Sequence, residues 1–307
     1  MKSEQDASVR ACSRGMSRRR EMGYLSKRAL NNAHWANEAA QYGSSLSATA
    51  STAWTRTAVL RRLRQLIKPK SLVLEVGCGN ASSLLGPISY DCEAYGIDLT
   101  AEMLLLAKQY HKRIKALVRS DACYVPFRDA SFDFVYTSRC LINVLDPKMQ
   151  RLAMREVFRV VKPNGTVVFV ENFEEPLTQL NLARERHGAG PRIIDQHNLV
   201  LNLQDTLAYS KKLGWNAIRI QGNTLASFAA HIIFGRFFRG RMRGRVAGWS
   251  RGRICGSGRW RLIGWKCDQM VEWLLYPLYF VLTWLDDCFG ARLPLFGKDV
   301  MITFRRA

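Results

Sequence analysis

Two carboxylates and two glycines early in the chain are spaced for ligand binding. Leu72 to Ala81 reads LVLEVGCGNA, an aliphatic run that closes on Glu75 and then breaks through Gly77 and Gly79. Glycine lacks a Cβ, so such a turn brings bare backbone up to a ligand. Twenty-three residues after Glu75, the run CEAYGID closes on Asp98. At the tip of the next parallel strand, an acid at this spacing accepts both hydroxyls of a ribose. A well-formed contact of that kind contributes roughly 1.5–3 kcal/mol. The pair therefore implies a nucleoside-containing cofactor. The dinucleotide fingerprint GxGxxG would need glycine at position 82, where Ser82 stands, which disfavours a dehydrogenase.

These residues need a sheet to hold them, and the surrounding pattern supplies one. SLVLEV (71–76), CEAYGID (92–98), IKALVRSD (114–121), FDFVYTS (132–138) and TVVFVE (166–171) are each of strand length, and several are apolar on both faces. Burial on both faces is what a parallel sheet between two helical layers requires. Between the last two runs, Leu152, Val157, Phe158 and Val161 form one helical stripe that stops at Lys162, Pro163, Asn164 and Gly165. Ala58 to Ile67 is an amphipathic helix closed by Pro69. An irregular stretch is expected from Asn172, then a helix over LQDTLAYSKKLGW with Gly214 as its stop. NAIRIQG gives a sixth strand and KDVMITFRR a seventh. The expected fold is α/β, a doubly wound, seven-stranded, mostly parallel sheet with an antiparallel last strand and an inserted helical lid.

Charge divides the chain further. The formal net charge is +21, yet residues 71–235 carry 18 Lys and Arg against 16 Asp and Glu. The excess sits in the first 70 residues and in residues 236–266, which hold nine arginines and one lysine with no acid. Basicity thus belongs to appendages. Residues 1–30 suit a disordered basic tail, 31–70 a helical segment, 71–221 with 299–307 the cofactor-binding domain, and 222–298 an insertion. Within the insertion, the apolar run Val271–Leu285 is interrupted by Pro277 and is shorter than the ~20 residues a spanning helix needs. It suits a buried lid or a helix lying in a membrane surface. The eight cysteines form no CxxC pair and no His-Cys metal spacing, which reads as reduced thiols, no metal and a cytoplasmic chain. No apolar signal follows the basic start.

The ordered series LEVGCGNA, GIDLT, SDACYVPFRDASFDFVYTS and REVFRVVKPNGTVVFVE resembles the class I S-adenosylmethionine-dependent methyltransferases, in their small-molecule branch. The resemblance covers residues 71–220 and implies S-adenosyl-L-methionine as cofactor. Carried onto this chain, it makes Glu75, Gly77 and Gly79 the methionine-side loop and Asp98 the ribose ligand. Leu99 would flank the adenine, Asp121 would accept from its amino group with Ala122 beside it, and Ser138 and Arg139 would border the methionine and sulfonium. Ala81 replaces the family's third loop glycine. CLINVLDP after the fourth strand resembles relatives linked to sugar or surface-glycan pathways.

Methyl transfer is an in-line displacement, to which orientation alone can supply about 7–11 kcal/mol; a base assists a hydroxyl acceptor. His197 and His187, in the segment after the fifth strand, are the candidate bases, accompanied by Glu174, Glu175 and Asp195, with His231 further along. The expected activity is methyl transfer to a small-molecule or glycan acceptor, at a hydroxyl oxygen. Two alternatives stand beside it: a quinone or lipid methyltransferase at a membrane, and a non-catalytic scaffold that binds the cofactor. An anionic membrane surface is a candidate partner through residues 236–285, giving a cytoplasmic, membrane-associated protein. A nucleic-acid base methyltransferase is disfavoured, because TSRC stands after the fourth strand where amino-methylating nucleic-acid enzymes carry an Asn-Pro-Pro-Tyr or Asp-Pro-Pro-Tyr signature; the patch 236–266 itself suits a solvated disordered loop first, then a membrane surface, and an RGG-like nucleic-acid contact last.

Overall fold

The structure is a computed structural model that describes residues 23–41, 43, 53–84, 91–110, 113–188, 190–222, 281–282, 285 and 299–307. The tail before residue 23, the arginine-rich segment 236–266, His231 and nearly all of the apolar run lie outside the described residues. In chain order the elements are α1 (23–41), α2 (Ala53–Leu66), β1 (Leu72–Val76), β2 (Glu93–Asp98), α3 (Ala101–Tyr110), β3 (Ala116–Arg119), β4 (Phe132–Ser138), α4 (Pro147–Arg159), β5 (Val161–Asn172), α5 (Glu174–Arg186), α6 (Leu203–Lys212), β6 (Trp215–Gly222) and β7 (Asp299–Arg306). Short 3₁₀ turns at Ser82–Leu84 and Leu141–Asn143 follow β1 and β4.

One seven-stranded sheet runs in the order β3-β2-β1-β4-β5-β7-β6. The pairings of β1 with β2 and β4, β2 with β3, and β4 with β5 are parallel, whereas β7 runs antiparallel between β5 and β6. The expected seven-stranded, mostly parallel sheet with an antiparallel last strand is thus the observed one; nearly all of the expected inserted lid lies outside the described residues. All the parallel strands end at the same edge, and β1 and β2 are in register there, with Glu75 opposite Gly96 and Val76 opposite Ile97. Gly222 pairs with Val300, so residues 223–298 leave and re-enter the sheet at that same edge.

Alternation along the buried strands sends side chains to two apolar layers. On one face Leu74, Val76, Ile97 and Val135 pack with Ala153, Met154, Val157 and Phe158 of α4. On the other, Val73, Ala94, Phe134 and Tyr136 pack with Val59 and Leu63 of α2. The local signals of α4 are complete: Asp146 is its N-cap, accepting from the N–H groups of Lys148 and Met149, and Pro147 opens its first turn.

Three local expectations need correction. The stretch after Asn172 is helical, forming α5, because Pro176, Leu177, Leu180 and Arg184 are buried along one face. The Lys162–Gly165 turn lies inside β5, whose pairing with β4 shifts between Phe132 and Phe134. And residues 23–30 are helical, part of α1, inside the stretch expected as a disordered tail, because residues of this helix find partners across the strand tips, as described below.

The turn after β4 is anchored by Glu171, which is wholly buried. It accepts from Thr137 Oγ1 at 2.7 Å and from the backbone N–H groups of Cys140, Leu141 and Ile142 at 3.1, 3.1 and 3.3 Å. Removing this acceptor strands buried donors, each at a cost of about 1–3 kcal/mol. Glu171→Ala is expected to lower the unfolding free energy by about 3 kcal/mol or more, read as a fall in urea midpoint at unchanged m-value, with Glu171→Gln losing less.

Candidate functional site

A cleft opens along the carboxyl edge of the sheet and encloses about 850 Å³ of empty space, open solvent included. That is the scale of a small-molecule or cofactor site. Gly77, Gly79, Asp98, Leu99, Asp121, Ala122 and Ser138 all line it. Residues that are far apart in sequence meet here because β1, β2, β3 and β4 end side by side.

The glycine loop is folded back onto β2. Gly77 and Cys78 donate their N–H groups to Ile97 O at 2.8 and 2.9 Å, and the Gly79 N–H reaches Asp98 Oδ2 at 2.8 Å. The Thr100 N–H donates to Asp98 Oδ1 at 2.8 Å. Asp98 is therefore fixed by two backbone donors while it faces the cleft. Burial raises its carboxyl pKa, and those two donors pull it back in part. Gly77 and Gly79 have φ of 75° and 53°, where a Cβ is disfavoured. At Gly77 a Cβ would also overlap the Cys140 side chain. Ala81 holds φ of 58° while wholly buried, so the residue replacing the expected third glycine carries backbone strain.

Glu75 does not line the cleft. It lies behind the loop, 1 % exposed, and accepts from Ser83 Oγ at 2.5 Å and Tyr136 Oη at 3.0 Å. It thus ties the 3₁₀ turn after the glycine loop to β4, supporting the site from beneath. Burial pushes its pKa up to about 7, against the lowering effects of Ser83, nearby Arg56 and Tyr136.

Asp121 is already engaged. Its Oδ1 accepts the Cys123 N–H at 2.9 Å, and its Oδ2 lies 2.7 Å from Arg28 Nε and accepts from Tyr24 Oη at 3.3 Å. Arg28 and Tyr24 belong to α1, which the sequence reading did not connect with the site. Asn31, Asn32 and Trp35 of the same helix also line the cleft, and Trp35 packs against Ala39 and Met103. Tyr24, Arg28, Asn31 and Trp35 follow helical spacing, so they share a face. That stripe is polar and aromatic, whereas Leu25 and Leu30 are exposed. A search for an apolar period therefore could not find this packing face; the signal was a polar stripe at the same period.

Neither candidate histidine lines the cleft, which corrects the expectation that they approach the methyl group. The His197 ring stacks on His34 with centroids 4.1 Å apart and stands edge-on to Trp35. Its pKa is lowered, by burial first and then by His34. His187 caps the C-terminus of α5 and is exposed. Glu175 accepts from the N–H groups of Leu203 and Gln204 at the start of α6, a capping role. Among the described residues no group of three or more His, Cys, Asp and Glu is placed to hold a metal, and no helix is long and apolar enough to cross a membrane.

Residues 74–169 match the methyltransferase domain. That span holds the glycine loop, Asp98, Asp121 and Ser138. The chain is also similar to demethylmenaquinone methyltransferase of Bacillus mycoides, 36% identical over 112 residues that cover 34% of this chain and 46% of the relative. The same enzyme of Bacillus cereus is 33% identical over 112 residues, with the same coverage. The chain thus spans about half the length of the curated relatives it matches. Among solved structures it is similar to a TehB-like SAM-dependent methyltransferase from Corynebacterium glutamicum, with a TM-score of 0.46 and 16% identity over 62% of this chain and 88% of that one. The sheet is doubly wound and Rossmann-like, with β7 antiparallel.

Glu75 and Glu171 both titrate near pH 7 in the folded chain against an ordinary 4.5, raised chiefly by burial. Between those values the folded protein retains protons that the unfolded chain has released. Their contribution to stability is therefore full below pH 4.5 and is lost as the pH rises through 7, each on the order of 3 kcal/mol. Urea unfolding followed from pH 4.5 to 7.5 is expected to show this decline, and Glu75→Gln to flatten it.

Proposed function

We propose that the protein is an S-adenosylmethionine-dependent methyltransferase acting on a small-molecule or glycan acceptor, at a hydroxyl oxygen. The observation that carries the cofactor reading is Asp98, held at the tip of β2 by the Gly79 and Thr100 N–H groups while facing a cleft floored by Gly77 and Gly79. The methyltransferase-domain match over residues 74–169 supports it.

In this reading Asp98 takes the ribose hydroxyls, and its preorganisation by two backbone donors spares the ordering cost at binding. Leu99 and Met103 offer apolar surface to the adenine, with Asp121 and Ala122 at its edge. Gly77 and Gly79 let the backbone approach the methionine portion, and Ser138 and Arg139 stand at the tip of β4 beside it. The bound cofactor supplies an electrophilic methyl on a sulfonium. What the chain contributes is positioning, a large source of acceleration for an in-line displacement: the strand tips and the α1 residues Asn31, Asn32 and Trp35 line the cleft together. Among the described residues no histidine lines the cleft, and what they supply is orientation.

A second reading, methyl transfer to a quinol ring, is favoured by the names of the Bacillus relatives. The two differ in acceptor, not in cofactor.

Isothermal calorimetry with S-adenosylhomocysteine tests the shared part. Wild-type protein is expected to bind it at one site, and Asp98→Ala to weaken it by about tenfold or more, as loss of a charge-assisted contact of roughly 1.5–3 kcal/mol requires. Absence of heat from the wild type would overturn the reading.

A further inference from the structure

The cleft has a wall of which the cofactor reading accounts for Arg139 alone, as a neighbour of the methionine portion. It is built by Asn31 and Asn32 of α1 and by Arg139 and Asn143 of the turn after β4, all of which line the cleft. Each carries a buried polar atom without a hydrogen-bond partner: Asn31 Oδ1, Asn32 Oδ1, Asn143 Oδ1 and Arg139 Nε. Buried polar atoms are nearly always paired, and each unpaired one is costly, so four around one cleft point to a missing ligand.

At Asn31 and Asn143 the orphan is not an error of amide orientation. Asn31 Nδ2 donates to Asn143 O and, at 3.4 Å, to His197 O, and Asn143 Nδ2 donates to Arg139 O. The amide nitrogens of these two are thereby fixed by carbonyls, which leaves both Oδ1 atoms as acceptors. Asn31 is itself 6 % exposed. Arg139 has a φ of 56°, a left-handed backbone costly for a residue with a Cβ. Two bonds hold it there, its own N–H to Val170 O at 2.8 Å and the Asn143 amide on its carbonyl.

We propose that this wall is the acceptor subsite and that it selects a small ligand carrying an anionic oxygen group beside hydroxyl or amine donors. The Arg139 guanidinium takes the carboxylate or phosphate, for which its planar fork is suited. The three amide oxygens take O–H or N–H groups. A quinol ring could donate to amide oxygens, but it brings no anionic oxygen group to the Arg139 guanidinium, and its apolar tail pairs with none of these atoms. The inference rests on the methyltransferase reading above and narrows its acceptor to a polar acid.

Glycerate, glucuronate and glycerol 3-phosphate serve as probes, with a demethylated quinol as the contrasting one, and S-adenosylhomocysteine release from S-adenosylmethionine as the signal. At least one polar acid is expected to stimulate release, and the carboxylate and phosphate arms show which anion is preferred. Arg139→Gly, which keeps the left-handed backbone relaxed, is expected to raise KM for that probe at least tenfold, and Arg139→Lys to recover part of the loss; the unchanged S-adenosylhomocysteine affinity is expected of Asn32→Ala, within twofold. Asn32→Ala, which removes a free acceptor, raises KM severalfold. The proposal is overturned if no polar acid stimulates release, or if only the quinol does. It is equally overturned if Arg139→Gly weakens S-adenosylhomocysteine but not 5′-methylthioadenosine, since the wall would then hold the cofactor's own amino-acid end. If wild-type protein binds no S-adenosylhomocysteine, the methyltransferase reading itself fails and takes this inference with it.

Discussion

Backbone N–H groups beyond the tips of a parallel sheet have no ladder partner, and in this protein buried carboxylates supply one. Asp98 accepts from Gly79 and Thr100, Asp121 from Cys123, and Glu171 from Cys140, Leu141 and Ile142. An unpaired buried donor would be destabilising at every one of these turns. The acids thus set the conformation of the loops that form the cleft, and two of them face its interior as well. Structural need and binding capacity coincide in the same side chains.

This arrangement explains why the site is rigid on one side and assembled on the other. The strand-tip side is fixed by short backbone contacts among β1, β2 and β4. The opposite side is α1, joined through Arg28 and Tyr24 to Asp121, through Asn31 to the carbonyls of Asn143 and His197, and through Trp35 to Met103. Several of these contacts are polar, whereas the sheet is held by apolar layers on both faces. A side built this way can part from the tips at modest cost, whereas the tips cannot rearrange without stranding buried donors.

Glu75 shows how a motif can be right in place and different in role. Its position at the end of β1 was legible, yet its carboxylate turns from the cleft to Ser83 and Tyr136. Strand alternation decides this: Glu75 shares a face with Val73, which packs toward α2. Its burial also gives it the raised pKa that would ordinarily mark a functional acid, here on a group that supports the loop from behind.

The sequence by itself determined the sheet, because period-two and both-sided apolar runs are local signals that burial then enforces, and it determined the strand-tip half of the cleft, because Gly77, Gly79, Asp98 and Ser138 follow directly from where those runs stop. Helix α5 was missed because its apolar face is narrow and interrupted by charge. Only the tertiary structure decided the other half. The α1 stripe of Tyr24, Arg28, Asn31 and Trp35 has no hydrophobic period to reveal it, and its partners lie about a hundred residues away in Asp121 and Asn143. The histidines likewise had the residue type for a base, but ring stacking and helix capping took them out of reach. Chemistry that depends on which polar group meets which is written in three dimensions, because a polar side chain's role is set by its partner rather than by its spacing along the chain.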